Sequence, residues 1–271
     1  MKFDMGRAWS EATAMLGANK ELLAVIAGIF IFLPNLALAM LAPEMMTGPT
    51  EVDPDNPTAA LTAFYAENGL WFFILAIVQS VGTLALLALL NDRRPTVGEA
   101  IRIGFVTLIP YLIAQIIMVL GLGIVLVLPV VLASSLAGAA VAVVLGLLAT
   151  VAFVYVMVKV SLVSPEMVIG SNLNPIAALR NSWRLTKGNS LRLFAFYLLL
   201  LIGVIVIAAV IGMVSGLFVA LLGQNAAGLL VGGALNGVLA AIWSVLIVCV
   251  IAAVYKQLAG PSTAAVSETF E

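Results

Sequence analysis

Arg180, Arg184 and Lys187 recur at intervals of four and three residues with Trp183 between them, a spacing that gathers three cations on one side of a helix. Guanidinium and ammonium groups in such a row make charge-assisted hydrogen bonds to phosphate oxygens, and a neighbouring tryptophan anchors a helix at the lipid boundary. Trp9 and Arg102 sit in comparable places in two earlier segments and join them as candidate lipid or partner contacts. A second set is uncharged: Asn35, Gln79, Gln115 and Asn236 interrupt otherwise apolar runs. Such side chains either hydrogen-bond between helices or line a weakly polar path for a lipid headgroup or small solute. Lys159 stands about one turn from the end of an apolar run, where its stem can snorkel. Glu166 follows seven positions later and can pair with it if the helix continues past Pro165.

The chemistry that is missing narrows the function. With no His, the chain lacks the commonest general base and zinc ligand, and no Walker-type phosphate loop is present. No acidic residue falls in the middle of an apolar run, which leaves no intramembrane carboxylate for proton coupling or aspartyl chemistry. The acidic stretch from Glu44 to Asp55 lacks EF-hand spacing. Cys249 has no second cysteine to pair with. The expectation is therefore a non-enzyme with no cofactor and no bound metal.

The elements that carry these residues follow from composition. Of 271 residues 63% are hydrophobic and 9% charged, and neither 103–158 nor 193–255 contains a charged side chain. A bilayer crossing takes about 20 apolar residues, so each of those stretches accommodates two. Spans are expected near 21–42, 69–91, 106–132, 139–163, 193–222 and 229–255. That threading puts all twelve Lys and Arg on one side, which the positive-inside bias makes cytoplasmic together with both termini. Glu44, Glu51, Asp53, Asp55 and Glu67 then fall in the one large outer loop, while 133–138 and 223–228 close tight turns. Ala37-Leu38-Ala39 resembles a signal-peptidase site, but the long leader, which carries Asp4 and Glu11, and Pro34-Asn35 favour an uncleaved first span.

A short amphipathic segment precedes each pair of spans. Met5, Trp9, Ala12 and Leu16 form the first stripe, with Gly17 ending the helix and Asn19 capping the span that follows. Thr96 and Glu99 have capping-box spacing ahead of Val97, Ile101, Phe105 and Leu108. Asn174 and Pro175 are placed as N-cap and first helical residue ahead of an Ile176, Leu179, Trp183 stripe, and Gly188 supplies the stop. The predicted fold is all-α and integral to a membrane: six transmembrane helices in three hairpins, each led by a cytoplasmic interfacial helix. The chain reads as a single domain over 1–271, with repeat-like units near 1–91, 92–163 and 164–257 and a short cytoplasmic tail over 258–271. Gly212 with Gly216 and Gly233 with Gly237 allow close helix packing, within a protomer or between protomers, and Pro34, Pro110 and Pro129 are expected to bend their spans.

The run Ser164-Pro165-Glu166, continuing through Asn174-Pro175-Ile176-Ala177-Ala178-Leu179-Arg180-Asn181-Ser182-Trp183-Arg184-Leu185-Thr186-Lys187-Gly188, resembles the membrane domain of bacterial glycerophosphoryl diester phosphodiesterases. In that family a Pro-x-x-Ala-Leu-x-x-Ser-x-x-Leu-Thr-Lys-Gly stretch follows the fourth span. The resemblance implies a stand-alone six-span member in the bacterial inner membrane, without the catalytic barrel and without any catalytic residue to transfer. Two functions are consistent with this. One is a membrane module that engages lipids, chiefly anionic headgroups, or protein partners, with self-association possible and nucleic acid excluded by the net charge of -1. The other is a transporter or lipid-handling channel using the uncharged polar residues.

Overall fold

Inside hydrocarbon a backbone N–H or C=O finds no water, so an apolar chain must close its hydrogen bonds within each segment. Every regular element among the described residues is accordingly helical. The computed structural model describes residues 2–42, 45, 48, 57–92, 95–136, 138–222 and 226–260. Arg93, Arg94, the acidic Glu44, Glu51, Asp53 and Asp55, and 261–271 of the tail lie outside the described residues.

In chain order the elements are α1 (Met5–Ala27), π1 (Gly28–Phe32), α2 (Leu33–Leu41), α3 (Pro57–Leu89), α4 (Val97–Leu122), π2 (Gly123–Val127), α5 (Leu128–Leu136), α6 (Ala139–Val160), α7 (Val163–Val168), α8 (Pro175–Leu185), α9 (Ser190–Leu222) and α10 (Ala226–Ala259). Six helical stretches among the described residues are long and apolar enough to cross a membrane: Met5–Leu41, Thr58–Leu89, Val97–Leu136, Ala139–Val168, Ser190–Phe218 and Leu230–Ala259. The chain is thus a multi-pass helical membrane protein.

Several boundaries differ from the sequence expectation. α1 runs through Gly17 and Asn19 into the first span without a break. A glycine inside a helix costs about 1 kcal/mol relative to alanine, whereas a helix end exposes four N–H and four C=O groups, so continuation wins. The second segment is likewise the opening of α4, and Glu67 sits inside α3 instead of a loop. Only the third segment, α8, is a helix of its own. Its separation has local causes: Ser171 takes φ 53°, the residue before Pro175 is extended, and Gly188 takes φ +83° just past the helix end.

The sealed positions of α8 and of residues 5–16 of α1 are small residues. Ala8 and Ala12 are sealed in α1 while Trp9 is exposed, and Ala178 and Ser182 are sealed in α8 while Ile176 and Trp183 face outward. Small side chains let these helices dock closely, as bilayer helices do, and leave the bulky ones free to meet lipid.

π1 and π2 are two five-residue π-helical turns built on one pattern. In Gly28-Ile29-Phe30-Ile31-Phe32-Leu33-Pro34 and Gly123-Ile124-Val125-Leu126-Val127-Leu128-Pro129, glycine opens the turn and proline follows it by one residue. Leu33 N–H donates to Gly28 O and Leu128 N–H to Gly123 O, closing i→i+5 rings. A proline in an α-helix clashes with the carbonyl four residues earlier and removes a donor; the wider turn re-registers the ladder around it. Pro110, inside α4, carries no such turn.

The chain divides into two compact units, each assembled from segments distant in sequence and cutting across the three sequential segments expected above. The first comprises Met1–Met15, Phe105–Leu199 and Cys249–Glu271, and the second Leu16–Gly104 and Leu200–Val248. In the second, α3 is buried on all sides over Leu84 to Leu89, and a Cβ on Gly82 would meet Phe30 Cβ at 2.5 Å. In the first, Cys249, Val250 and Ala252 to Tyr255 of α10 are sealed, and Ala114, Val163, Met167 and Ala178 form a shared apolar cluster of α4, α7 and α8.

Candidate functional site

The chemistry-bearing residues of the first unit concentrate where α6, α7 and α8 meet, and three local devices hold that junction. Asn174 Oδ1 accepts from Ile176 N–H and Ala177 N–H, both at 3.1 Å, which caps α8 behind Pro175. Ser182 Oγ, fully buried, donates to Lys159 O at 2.7 Å and accepts from Leu162 N–H at 3.2 Å, so the end of α6 finds its partners in α8. Thr186 Oγ1 donates back to Ser182 O and Trp183 O and closes the last turn. The Ser of the motif is thus a docking residue and the Thr closes its helix.

Two charged side chains are buried at this junction, and they do not pair. Glu166 on α7, 8% exposed, accepts from Asn172 Nδ2 at 3.1 Å and Asn181 Nδ2 at 2.8 Å on one oxygen, and from Tyr255 O–H at 2.9 Å on the other. Three neutral donors replace the water that burial removes. Gly170 completes the fit, because a Cβ there would lie 2.5 Å from both Glu166 O and the Tyr255 hydroxyl.

Lys159 at the end of α6 is only 2% exposed. Its Nζ lies 5.5 Å from the Tyr155 ring centre and 5.6 Å from that of Trp183. The two rings stand edge-on to each other, with centroids 6.0 Å apart at 85°. Arg7 pairs with Glu11 at 2.7 Å, but no ion pair joins Lys159 to Glu166, whose pairing the sequence allowed if the helix continued past Pro165. The chain turns at Ser161-Leu162 before α7 starts, and that turn takes the two residues off a common helical face. The Lys159 ammonium lies between the two rings.

Arg180, Arg184 and Lys187 are all exposed. At 100° per residue Arg180 and Arg184 share one arc with Ile176 and Trp183, which are 67% and 42% exposed, and Lys187 follows in the turn after the helix. Trp9, at 43%, and Arg102 are exposed on α1 and α4. Around Trp9, Arg7 Nε donates to Glu11 and Thr13 Oγ1 donates to Trp9 O.

The uncharged polar set is largely satisfied within its own helices. Asn35 Nδ2 donates to Ile31 O at 2.7 Å and Asn236 Nδ2 to Gly232 O at 2.9 Å, each one turn back, while Gln115 Nε2 donates to the Tyr111 hydroxyl at 2.7 Å. Gln79 is half-buried in α3. Gln115 belongs to the first unit and the other three to the second. Of the packing glycines, Gly233 and Gly237 meet the first span: added Cβ atoms would lie 2.6 Å from Ala39 Cβ and 3.0 Å from Phe32 Cδ2. At Gly212 and Gly216 an added Cβ meets nothing within 4 Å.

Sequence reasoning did not single out Asn172, Asn181, Tyr155 or Tyr255. Tyr155 had a usable signal, since it stands four residues before Lys159 on the same helical face. Tyr255 had none, because its partner is 89 positions away.

Among protein families, residues 4–258 match one described as a domain of unknown function, DUF7847. No curated protein and no solved structure matches the chain. With the match running from the start of α1 to the end of α10, the chain belongs to the DUF7847 family.

Proposed function

We propose that this protein is a non-enzymatic membrane module that engages anionic lipid headgroups, or a partner at that depth, through α8 on the cytoplasmic face of a bacterial inner membrane. The observation that carries the reading is the outward arc of α8, where Ile176 and Trp183 stand among Arg180, Arg184 and Lys187. A helix docked through small residues, with apolar and cationic side chains on its free side, suits a layer where acyl chains meet phosphates. Both termini are then cytoplasmic and the six spans form three hairpins, with α8 the one free-standing interfacial helix. The docking of Ser182 on α6, the closing bonds of Thr186 and the stop at Gly188 are consistent with kinship with the membrane domain of glycerophosphoryl diester phosphodiesterases, since they give the motif's Ser, Thr and Gly a physical purpose.

The test replaces Arg180, Arg184 and Lys187 together by Gln and compares binding of anionic and zwitterionic lipid by the purified protein. Each basic residue contributes about 1 kcal/mol near an anionic surface, so the preference should fall by roughly a hundredfold. An unchanged preference removes the proposal. The second reading, a transporter or lipid channel, is favoured by the paired π turns, because such turns interrupt spans where they bend. The local bonding of Asn35 and Asn236 weighs against their use as a path.

A further inference from the structure

We infer that Lys159, Tyr155 and Trp183 form a stoichiometric site for the phosphate of one anionic phospholipid, whose acyl chains lie along the outer stripe of α6. The inference rests on reading α8 as an element of the cytoplasmic headgroup layer, and it replaces diffuse attraction with a defined site.

The ammonium of Lys159 has three N–H donors, and the two aromatic faces attract its charge without offering lone pairs. No carboxylate among the described residues lies within ion-pair distance of it. Glu166, the acidic residue nearest in sequence, has both oxygens engaged by Asn172, Asn181 and Tyr255. Nζ has no hydrogen-bond partner, and since no completely sealed polar side-chain atom among the described residues lacks one, it is not completely sealed although Lys159 is only 2% exposed. A nearly buried cation with free donors is suited to an anion supplied from outside the chain.

The surroundings identify the anion. Val144, Leu148, Val151 and Tyr155 follow one another along a single exposed stripe of α6 that ends at Lys159. A ligand with an apolar tail fits that track, and a free phosphate does not use it. Trp183 belongs both to the cage and to the arc bearing Arg180 and Arg184, which places further positive charge beside the cage.

The test uses the full chain in detergent, titrated with phosphatidylglycerol or phosphatidylcholine and read by native mass spectrometry. Wild type should retain one phosphatidylglycerol at least tenfold more tightly than phosphatidylcholine. Lys159→Met, which keeps the length and removes the charge, should abolish that difference, and Lys159→Arg should keep most of it. Inorganic phosphate at equal concentration should not displace the lipid; displacement would overturn the lipid assignment in favour of a free phosphate. A Lys159→Met protein with unchanged lipid retention overturns the site. So does a wild-type chain holding no phosphatidylglycerol in excess of phosphatidylcholine, a result that needs no variant to fold. The triple Gln variant of Arg180, Arg184 and Lys187 separates the two readings. Loss of anionic preference there, with Lys159→Met unaffected, sinks the site and leaves the broader proposal standing; the reverse pattern sinks the broader proposal alone.

Discussion

Replacing Glu166 by Ala and by Gln should give very different proteins, although both changes delete the charge. The Ala variant leaves three donors without their acceptor. The Tyr255 hydroxyl is buried and loses about 2 kcal/mol, while the half-buried Asn172 and Asn181 amides recover part of theirs from water and lose about 1 kcal/mol each. Those losses place the Ala variant about 4 kcal/mol below one that keeps the three bonds, since either deletion of the charge also removes its desolvation cost. In the Gln variant the amide oxygen keeps Asn172 and Asn181, and its N–H₂ donates to the Tyr255 oxygen, which can turn from donor to acceptor. Losing charge assistance costs about 1 kcal/mol per bond, but an uncharged group no longer carries the several kcal/mol of desolvation that a buried charge does. The two effects offset, and Glu166→Gln should lie within about 1 kcal/mol of wild type. Unfolding in detergent micelles followed by tryptophan fluorescence measures both, with Trp183 on α8 reporting locally. Equal destabilisation by Gln and Ala would refute the reasoning, because it would mean that Glu166 acts through its charge on an unseen cation.

Three further outcomes are expected. Gly233→Val should destabilise the protein by about 1–3 kcal/mol through overpacking against Ala39, whereas Gly212→Val should leave monomer stability unchanged, as thermal unfolding of the two variants will show. Asn174→Ala removes both cap bonds and should cost about 1 kcal/mol, with faster amide hydrogen exchange confined to the first turn of α8. Tyr255→Phe leaves one Glu166 oxygen without its donor and should cost about 1.5–3 kcal/mol in the same micelle assay, a loss that Glu166→Gln in the same chain should reduce.

What could be read from the sequence was local. The Thr96–Glu99 capping box forms, with Thr96 N–H donating to Glu99 Oε2 at 2.8 Å, and so do the Asn174-Pro175 start and the Gly188 stop. Each depends on residues within four positions of one another. Gly17 misled because its weak intrinsic preference for ending a helix was set against the strong demand of an apolar chain to keep its backbone bonded. The docking faces of α1 and α8 were not legible for a related reason. In water the large residues mark the buried face, but in a bilayer Trp9, Ile176 and Trp183 can stay outside and Ala8, Ala12, Ala178 and Ser182 dock. The depth of Lys159 was hidden because it depends on where α8 places Trp183. The glycine-to-proline pattern of π1 and π2 was visible, yet nothing in its letters gives helical pitch.

The Glu166 cradle also sets an order of events in time. Tyr255 is added 89 residues after Glu166. At about 5–20 residues per second of synthesis, the carboxylate waits roughly 4–18 s for its hydroxyl partner. Until α10 enters, one side of the α7 junction is open to whatever donor is at hand, be it water, a lipid or an insertion factor. The last span therefore does more than complete the bundle: its arrival is the moment at which the junction beneath α8 becomes dry.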